Sequence, residues 1–335
     1  MSEDDPTTYG GLSPVAALSL VGNDTRAGVL WALSEARGSE GDPPVLSFSD
    51  LRDRVAPEMP SSQFNYHLQE LVGQYVERRE GVGGDRDGSG RDGGDAATLH
   101  ADRGAGYALR SEGTFLTRLV RAGTFTGEGT REGIPVGVDC YFCDEPLAVT
   151  YEHWIAEVQC DGCEHVYDHN FTPPGVLADD PDAVLAQVAA FNRAHRLAFA
   201  RGVCPLCGSE PSASFVDPAT LPYPRPDHRE VLVHRGCGHC GHLDYLTVGE
   251  TLLRDPAVVA FCFAHGEDVT TTRLWELEFA MTDDVVDVRD RDPWRVAFAL
   301  ERGDDRLGIV LDDDVAVVDR TWNGAEHRPP SSDPF

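Results

Sequence analysis

The feature that most constrains this chain is a set of four CxxC pairs: Cys140 with Cys143, Cys160 with Cys163, Cys204 with Cys207, and Cys237 with Cys240. Two such pairs close a small fold around a tetrahedral, borderline-soft ion, because four thiolates satisfy it. The first two pairs enclose 16 residues, within the usual zinc-ribbon range; the second two enclose 29, with an insertion visible as the proline-rich run LPYPRPDH. Cytosolic chains rarely keep disulfides, and a thioredoxin-type redox pair stands alone at a strand-to-helix turn instead of coming in couples. The expectation is two structural Zn2+ sites, each coordinatively closed and so unable to activate water. The residues leave a cross-braced pairing between the sets open, but local closure costs less loop entropy.

The two sets are related. Cys160 to Cys237, Cys163 to Cys240 and His165 to His242 are each separated by the same shift of 77 residues. Each set runs on to an Asp-Pro step, Asp180-Pro181 and Asp255-Pro256, that predicts a helix start. We read an internal duplication, a ribbon followed by a Pro-initiated helix, whose halves pack as a pseudo-symmetric pair. His165 and His242 are expected to support the knuckles or lie on the surface, and Cys262, in the run AVVAFCFA, to be a small buried hydrophobe. The helix predicted over 182–201 places Val184, Leu185, Val188, Phe191, His195 and Leu197 on one side. Its Asn192, Arg193, His195 and Arg196 make a small basic patch, read as a salt-laced face. Residues 274–322 predict a β-meander, with 295–300, 307–311 and 315–318 as strands, and the tail 324–335 is expected to be disordered.

The formal net charge is -29, and all 28 basic residues are arginine. Acidic residues are spread along the whole chain, which argues against an acidic tail and for a surface adapted to multimolar salt, hence a halophilic archaeal origin. Such a charge normally argues against a nucleic-acid partner. In strong salt that argument weakens, because counterion release contributes little and binding leans on direct readout and shape. No segment is apolar enough to span a bilayer and MSEDDPTTYGG is not signal-like, so the expected location is cytoplasmic. No nucleophile elbow, phosphate-binding glycine loop or zinc-protease helix occurs, so no catalytic residue is assigned and no enzyme is expected.

The N-terminal third has its own pattern. The segment 13–21 reads as a short apolar helix. Asn23 or Asp24 caps a second helix, in which Ala27, Leu30, Trp31 and Leu33 are expected to pack inward and which Gly38 ends. Ser47 and Asp50 form a capping box for a third, with Phe48, Leu51 and Val55 on one face. Pro57 and Pro60 force a turn, and a fourth helix restarts at Ser61 or Ser62 with Phe64, Leu68, Leu71 and Val72 as its buried stripe. Its outward face carries Ser62, Asn65, Tyr66 and Gln69, neutral side chains that can hydrogen-bond base edges and phosphates. A short strand at 75–78, a Gly- and Asp-rich loop at 80–105 with Arg86, Arg91 and Arg103, a returning strand at 107–109 and a helix at 112–121 complete the order of a winged helix-turn-helix.

The segments SLVGNDTRAGVLWAL, LSFSDLRDRVA, SSQFNYHLQELVGQYVERREG and GYALRSEGTFLTRLVRAGTFTG resemble the ArsR-type winged-helix regulators of haloarchaea, over about the first third of the chain. The resemblance implies a DNA-binding transcriptional regulator, homodimeric through the first and closing helices. Metal-sensing members carry cysteines on the helix before the recognition helix; here 48–56 has none.

The expected class is therefore α+β: a winged helix-turn-helix over 1–124 with a mobile wing loop at 80–105, a zinc ribbon plus linking helix over 135–202, and a second ribbon, helix and meander over 203–323. The expected contacts to double-stranded DNA come from Ser61, Ser62, Gln63, Asn65, Tyr66 and Gln69, with His67 on the flank. Arg78 and Arg79, joined by Arg110, are expected to touch phosphates. Two alternatives remain: an adaptor of the TFE type holding RNA polymerase, or a thiol- or metal-responsive regulator in which one ribbon releases zinc on oxidation. In the leading reading the C-terminal region is expected to serve as a platform for an effector or RNA polymerase.

Overall fold

Ser13, Asn23 and Ser47 each offer a side-chain oxygen to the amide three residues on, and these caps begin the first three helices of the computed structural model. The structure describes residues 12–36, 45–79, 105–127, 129–221 and 228–326. Gly38, the loop arginines Arg86, Arg91 and Arg103, and the tail from 327 lie outside them. The chain divides into two units, Met1–Gly127 and Glu128–Phe335. Both are mixed α and β, with antiparallel sheets. Among the described residues no helix is long and apolar enough to cross a membrane.

The first unit runs α1 (Pro14–Val21), α2 (Asp24–Glu35), α3 (Phe48–Val55), α4 (Ser61–Leu71), β1 (Val76–Arg79), β2 (Gly106–Leu109) and α5 (Ser111–Arg121). The capping box at Ser47 is complete: its hydroxyl accepts from the Asp50 amide at 3.1 Å, and the Asp50 carboxylate accepts from the Ser47 amide at 3.3 Å. Phe64, Leu68 and Leu71 of α4 are fully buried against Val29, Leu33 and Leu51. Each side chain so covered contributes about 1.5–3 kcal/mol relative to exposure, which is what holds short helices that would not persist alone. β1 and β2 pair antiparallel from Val76↔Leu109 to Arg79↔Gly106.

Gly113 lets α5 approach the chain closely, since a Cβ there would lie 2.3 Å from the Tyr75 carbonyl. The inward set of α2 differs from expectation. Val29, Leu30, Ala32 and Leu33 are buried, whereas Ala27 and Trp31 face solvent. The buried stripe is centred on Val29 and Leu33, so Trp31 falls on the flank. There its indole donates to Glu35 at 2.8 Å and the Arg121 guanidinium lies over its ring.

The second unit begins with a four-stranded meander of β3 (Arg131–Asp139), β4 (Pro146–Glu152), β5 (Ile155–Cys160) and β6 (Val166–Phe171), followed by α6 (Pro181–Ala200). A three-stranded sheet of β7 (Ser212–Val216), β8 (Leu232–Gly236) and β9 (Leu243–Leu246) follows, then α7 (Val248–Leu252) and α8 (Pro256–Ala264). Asp180 and Asp255 cap α6 and α8 through the amide two residues on, with proline in the first turn of both. The two helices thus start alike, although α6 has 20 residues and α8 has 9.

A last sheet holds β10 (Val286–Arg291), β11 (Trp294–Arg302), β12 (Asp305–Leu311), β13 (Val317–Trp322) and β14 (Ala325–Glu326) in sequence order. The meander therefore starts later than the expected 274. Residues 274–276 form a 3-10 turn and Glu278–Met281 a short helix, α9, in a mostly buried run from which Glu276 and Glu278 reach solvent, too short for periodicity to separate strand from helix. Nor is the tail irregular from 324, because β14 pairs with β13 across a tight turn of Asn323 and Gly324, both at positive φ. One continuous core joins both cysteine regions to the meander, with Tyr151, Phe261, Trp275 and Phe298 among its largest buried side chains.

The anticipated basic patch on the linking helix is a different object. Asn192, His195 and Arg196 are buried. The Arg196 guanidinium contacts Asp168 at 2.7 Å, Asp244 at 3.7 Å and Glu250, and Asn192 donates to Asp168 at 2.8 Å. β6, β9 and α7, none of them visible from the helix sequence, close over that face.

Candidate metal centres and the polar helix face

The four CxxC turns share one backbone design. The amide of the first cysteine donates to the carbonyl five residues on: Cys140 to Glu145, Cys160 to His165, Cys204 to Ser209 and Cys237 to His242, at 2.7–3.0 Å. The residue four after that cysteine is left-handed, with φ of 60° at Asp144, 58° at Glu164, 77° at Gly208 and 76° at Gly241. Glycine makes this turn freely in the second set, and acidic residues accept the strain in the first. The turn aims backbone amides at sulfur: Phe142 at Cys140, and Gly162 and Cys163 at Cys160, at 3.3–3.4 Å.

The cysteines gather into two groups, Cys140, Cys143, Cys160 and Cys163, and Cys204, Cys207, Cys237 and Cys240, with all Sγ atoms of each group within 4.8 Å of one another. Neighbouring Sγ pairs stand 3.4–3.7 Å apart, and none is a disulfide. An ion with metal–sulfur bonds of about 2.3 Å needs tetrahedral sulfurs about 3.8 Å apart, so the donor set fits one divalent metal per group. Closure is local within each set, without cross-bracing.

The electrostatics agree. Burial works against the Cys140 thiolate, but the Tyr167 hydroxyl, donating at 3.2 Å, and the amides of its turn hold the thiol down at about 7. The Ser209 side chain and amide lower Cys207 to about 6. Cys143 and Cys240 are favoured by the amides of Glu145 and His242, yet desolvation and the neighbouring sulfurs push both up to about 12. Four thiols this close cannot all ionise alone; a divalent cation removes the conflict.

The first cysteine of each pair is buried and the second is open or partly open to solvent. His165 is buried in an aromatic group with Phe142, Tyr167 and His228. His242 stacks on Phe199, with its Nε2 2.6 Å from that of His195. Both histidines support their knuckles and neither joins the four sulfurs. Cys262 is buried, and desolvation pushes its thiol up to about 11, away from reactivity. Tyr167, which the sequence reading missed, was findable: it falls four residues past Cys163 on an inward strand position.

On the first unit, α4 turns Ser61, Ser62, Gln63, Asn65, Tyr66 and Gln69 to solvent, and Tyr66 is 58% exposed. Ser61 is engaged by Arg52 at 2.5 Å, and Gln69 reaches Asn65 at 3.4 Å. His67 is half-buried. Of the three expected phosphate contacts, Arg78 is exposed, Arg79 is drawn to Glu77 at 2.6 Å, and Arg110 donates to the Gly73 carbonyl and pairs with Glu112 at 3.4 Å.

Fold and site define a two-unit α+β protein carrying a pair of four-cysteine metal-type centres compatible with zinc ribbons. Residues 137–317 match the family model described as Domain of unknown function (DUF7351), and the chain belongs to that family. Residues 14–84 match a second, Domain of unknown function (DUF7347). No curated protein and no solved structure matches the chain.

Proposed function

We propose that this is a sequence-specific DNA-binding regulator whose first unit is a winged helix-turn-helix and whose second unit is braced by two structural Zn2+ ions. The observation that carries the reading is the α4 surface. Helix α3, the turn at 56–60 and α4 are followed by the β1–β2 hairpin, and α4 presents Ser62, Gln63, Asn65, Tyr66 and Gln69 outward over a buried Phe64–Leu68–Leu71 stripe. Amide and hydroxyl side chains read base edges at high salt, where a charged face would be screened. Arg78 is the cation best placed for phosphate.

A gel shift in molar salt with the gene's own upstream DNA tests this. Asn65→Ala with Tyr66→Ala is expected to abolish sequence-selective binding, at about 1–3 kcal/mol per lost bidentate base contact. Retained selectivity removes α4 as the reading helix.

Dimerisation through α1 and α5 belongs to the same reading. Val15 and Leu18 on α1 are 74% and 71% exposed and Phe115 on α5 is 64% exposed, a large apolar display for a monomer. Leu18→Glu with Phe115→Glu is expected to convert a dimer into a monomer in sedimentation analysis while keeping the helical signal, and to remove any dependence of the melting temperature on protein concentration. A wild-type chain that sediments as a monomer and co-purifies with RNA polymerase favours the adaptor instead.

A further inference from the structure

We propose that the cavity between α6, the α7–α8 junction and the segment 269–274 is a binding site for a small organic anion, an oxyanion head carried on a short apolar body. The cavity measures about 240 Å³ and is lined by Arg193, Arg196, Arg201 and Arg254, with Glu250 the acidic group on its wall. In a chain with 57 acidic residues against 28 basic ones, the cations left over at this cavity are Arg201 and Arg254, since Arg196 is matched by Asp168, Asp244 and Glu250 and Arg193 donates to backbone carbonyls.

The neighbouring acids are already committed. Glu250 is held by Arg196 and by the Thr247 amide at 2.8 Å. Asp255, beside Arg254, is gripped by Arg320 at 2.6 and 3.1 Å. Asp268 takes the hydroxyls of Thr270 and Thr271 at 2.6 and 2.7 Å. Arg193 is fixed by donation to the carbonyls of Val269 and Thr272.

Arg201 and Arg254 are exposed and form no ion pair with a described residue. Close by, Arg235 is 6% exposed; it donates to the Phe199 carbonyl at 3.2 Å, while its Nε has no hydrogen-bond partner. Burial, and then repulsion from Arg254, lower Arg235 to about 10, and burial and Arg201 likewise lower Arg254 despite the pull of Asp255. Burial is the larger cause at both guanidiniums, and a bound anion offsets the cost of keeping them charged there.

Leu197, Leu253 and Val259 supply an apolar wall. The volume lies below the ~300–1,000 Å³ of sites for larger ligands, so the occupant is small. A planar guanidinium fork favours an oxyanion over chloride, which can use neither the fork nor the wall.

The test is calorimetric titration of the full, metal-loaded chain in molar potassium chloride, with benzoate as the anionic probe and benzamide as its neutral counterpart. Saturable binding of one benzoate per chain is expected, with none for benzamide. The Arg201→Gln, Arg254→Gln double variant, built on exposed residues, is expected to keep the wild-type melting curve and lose about tenfold or more in benzoate affinity. Equal binding of the two probes, binding of neither, or unchanged affinity in the double variant overturns the proposal. No DNA enters the experiment, so its outcome is independent of the regulator reading.

Discussion

Stripping metal from the intact chain with a strong chelator is expected to unfold residues 128–335 cooperatively, with loss of their β-sheet signal. Cys140, Cys160, Cys204 and Cys237 are at most 3% exposed, and Cys140 and Cys160 belong to the shared core itself. Without a cation the two groups leave desolvated thiols crowded at 3.4–3.7 Å. Structural zinc contributes an apparent ~10–16 kcal/mol per site near neutral pH, larger than the whole stability of most domains.

Elemental analysis should find two zinc ions per chain, and Cys160→Ser should leave one. That substitution is expected to lower the melting temperature steeply, because it opens the group nearest the first sheet. An apoprotein that melts like the loaded one would show the sulfurs to be a redox or incidental cluster. One ion lost readily on mild oxidation, with DNA affinity changing in step, would favour the thiol-responsive alternative.

Replacing Arg196 by Met is expected to destabilise the second unit by about 3–5 kcal/mol, the usual penalty for leaving a buried charge uncompensated. One guanidinium that is 8% exposed faces Asp168, Asp244 and Glu250, drawn from β6, β9 and α7. Lysine offers no fork to reach three acids, so Arg196→Lys should recover only part of the loss.

The pH dependence has a definite sign. Burial pushes the Asp244 and Glu250 carboxyls upward even against the pull of Arg196, and without it they rise further. A carboxyl with a raised folded-state value binds protons more tightly folded than unfolded. The variant's deficit is therefore greatest at higher pH and shrinks as pH falls toward the ordinary carboxylate value of about 4. Denaturant melts of both chains, over the range in which wild type keeps its metal, check this. A deficit that does not vary with pH would mean that lost packing, not charge, is the cause.

Much of this was legible from local signals. The capping box at Ser47, the Asp-Pro starts of α6 and α8, the stripe of Phe64, Leu68 and Leu71, and the four knuckles depend on residues within a turn or two of one another. Their geometry follows from spacing alone. Trp31 escaped because a helix pattern gives the width of an apolar face but not which edge of it a neighbour covers.

Spacing between cysteines determined on its own that two groups of four thiols would form, and the alternation after residue 294 determined most of the last meander. Only the tertiary structure decided the fate of Arg193, Arg196, Arg201 and Arg254. In sequence they are ordinary surface arginines at helical or loop positions. Packing removed water from Arg196, delivered three carboxylates to it from distant strands and a helix, and left the others around a small cavity with the nearby acids already occupied. Whether a charge is solvated, paired or waiting for a ligand depends on what approaches it through space, and the order of residues along the chain does not state that.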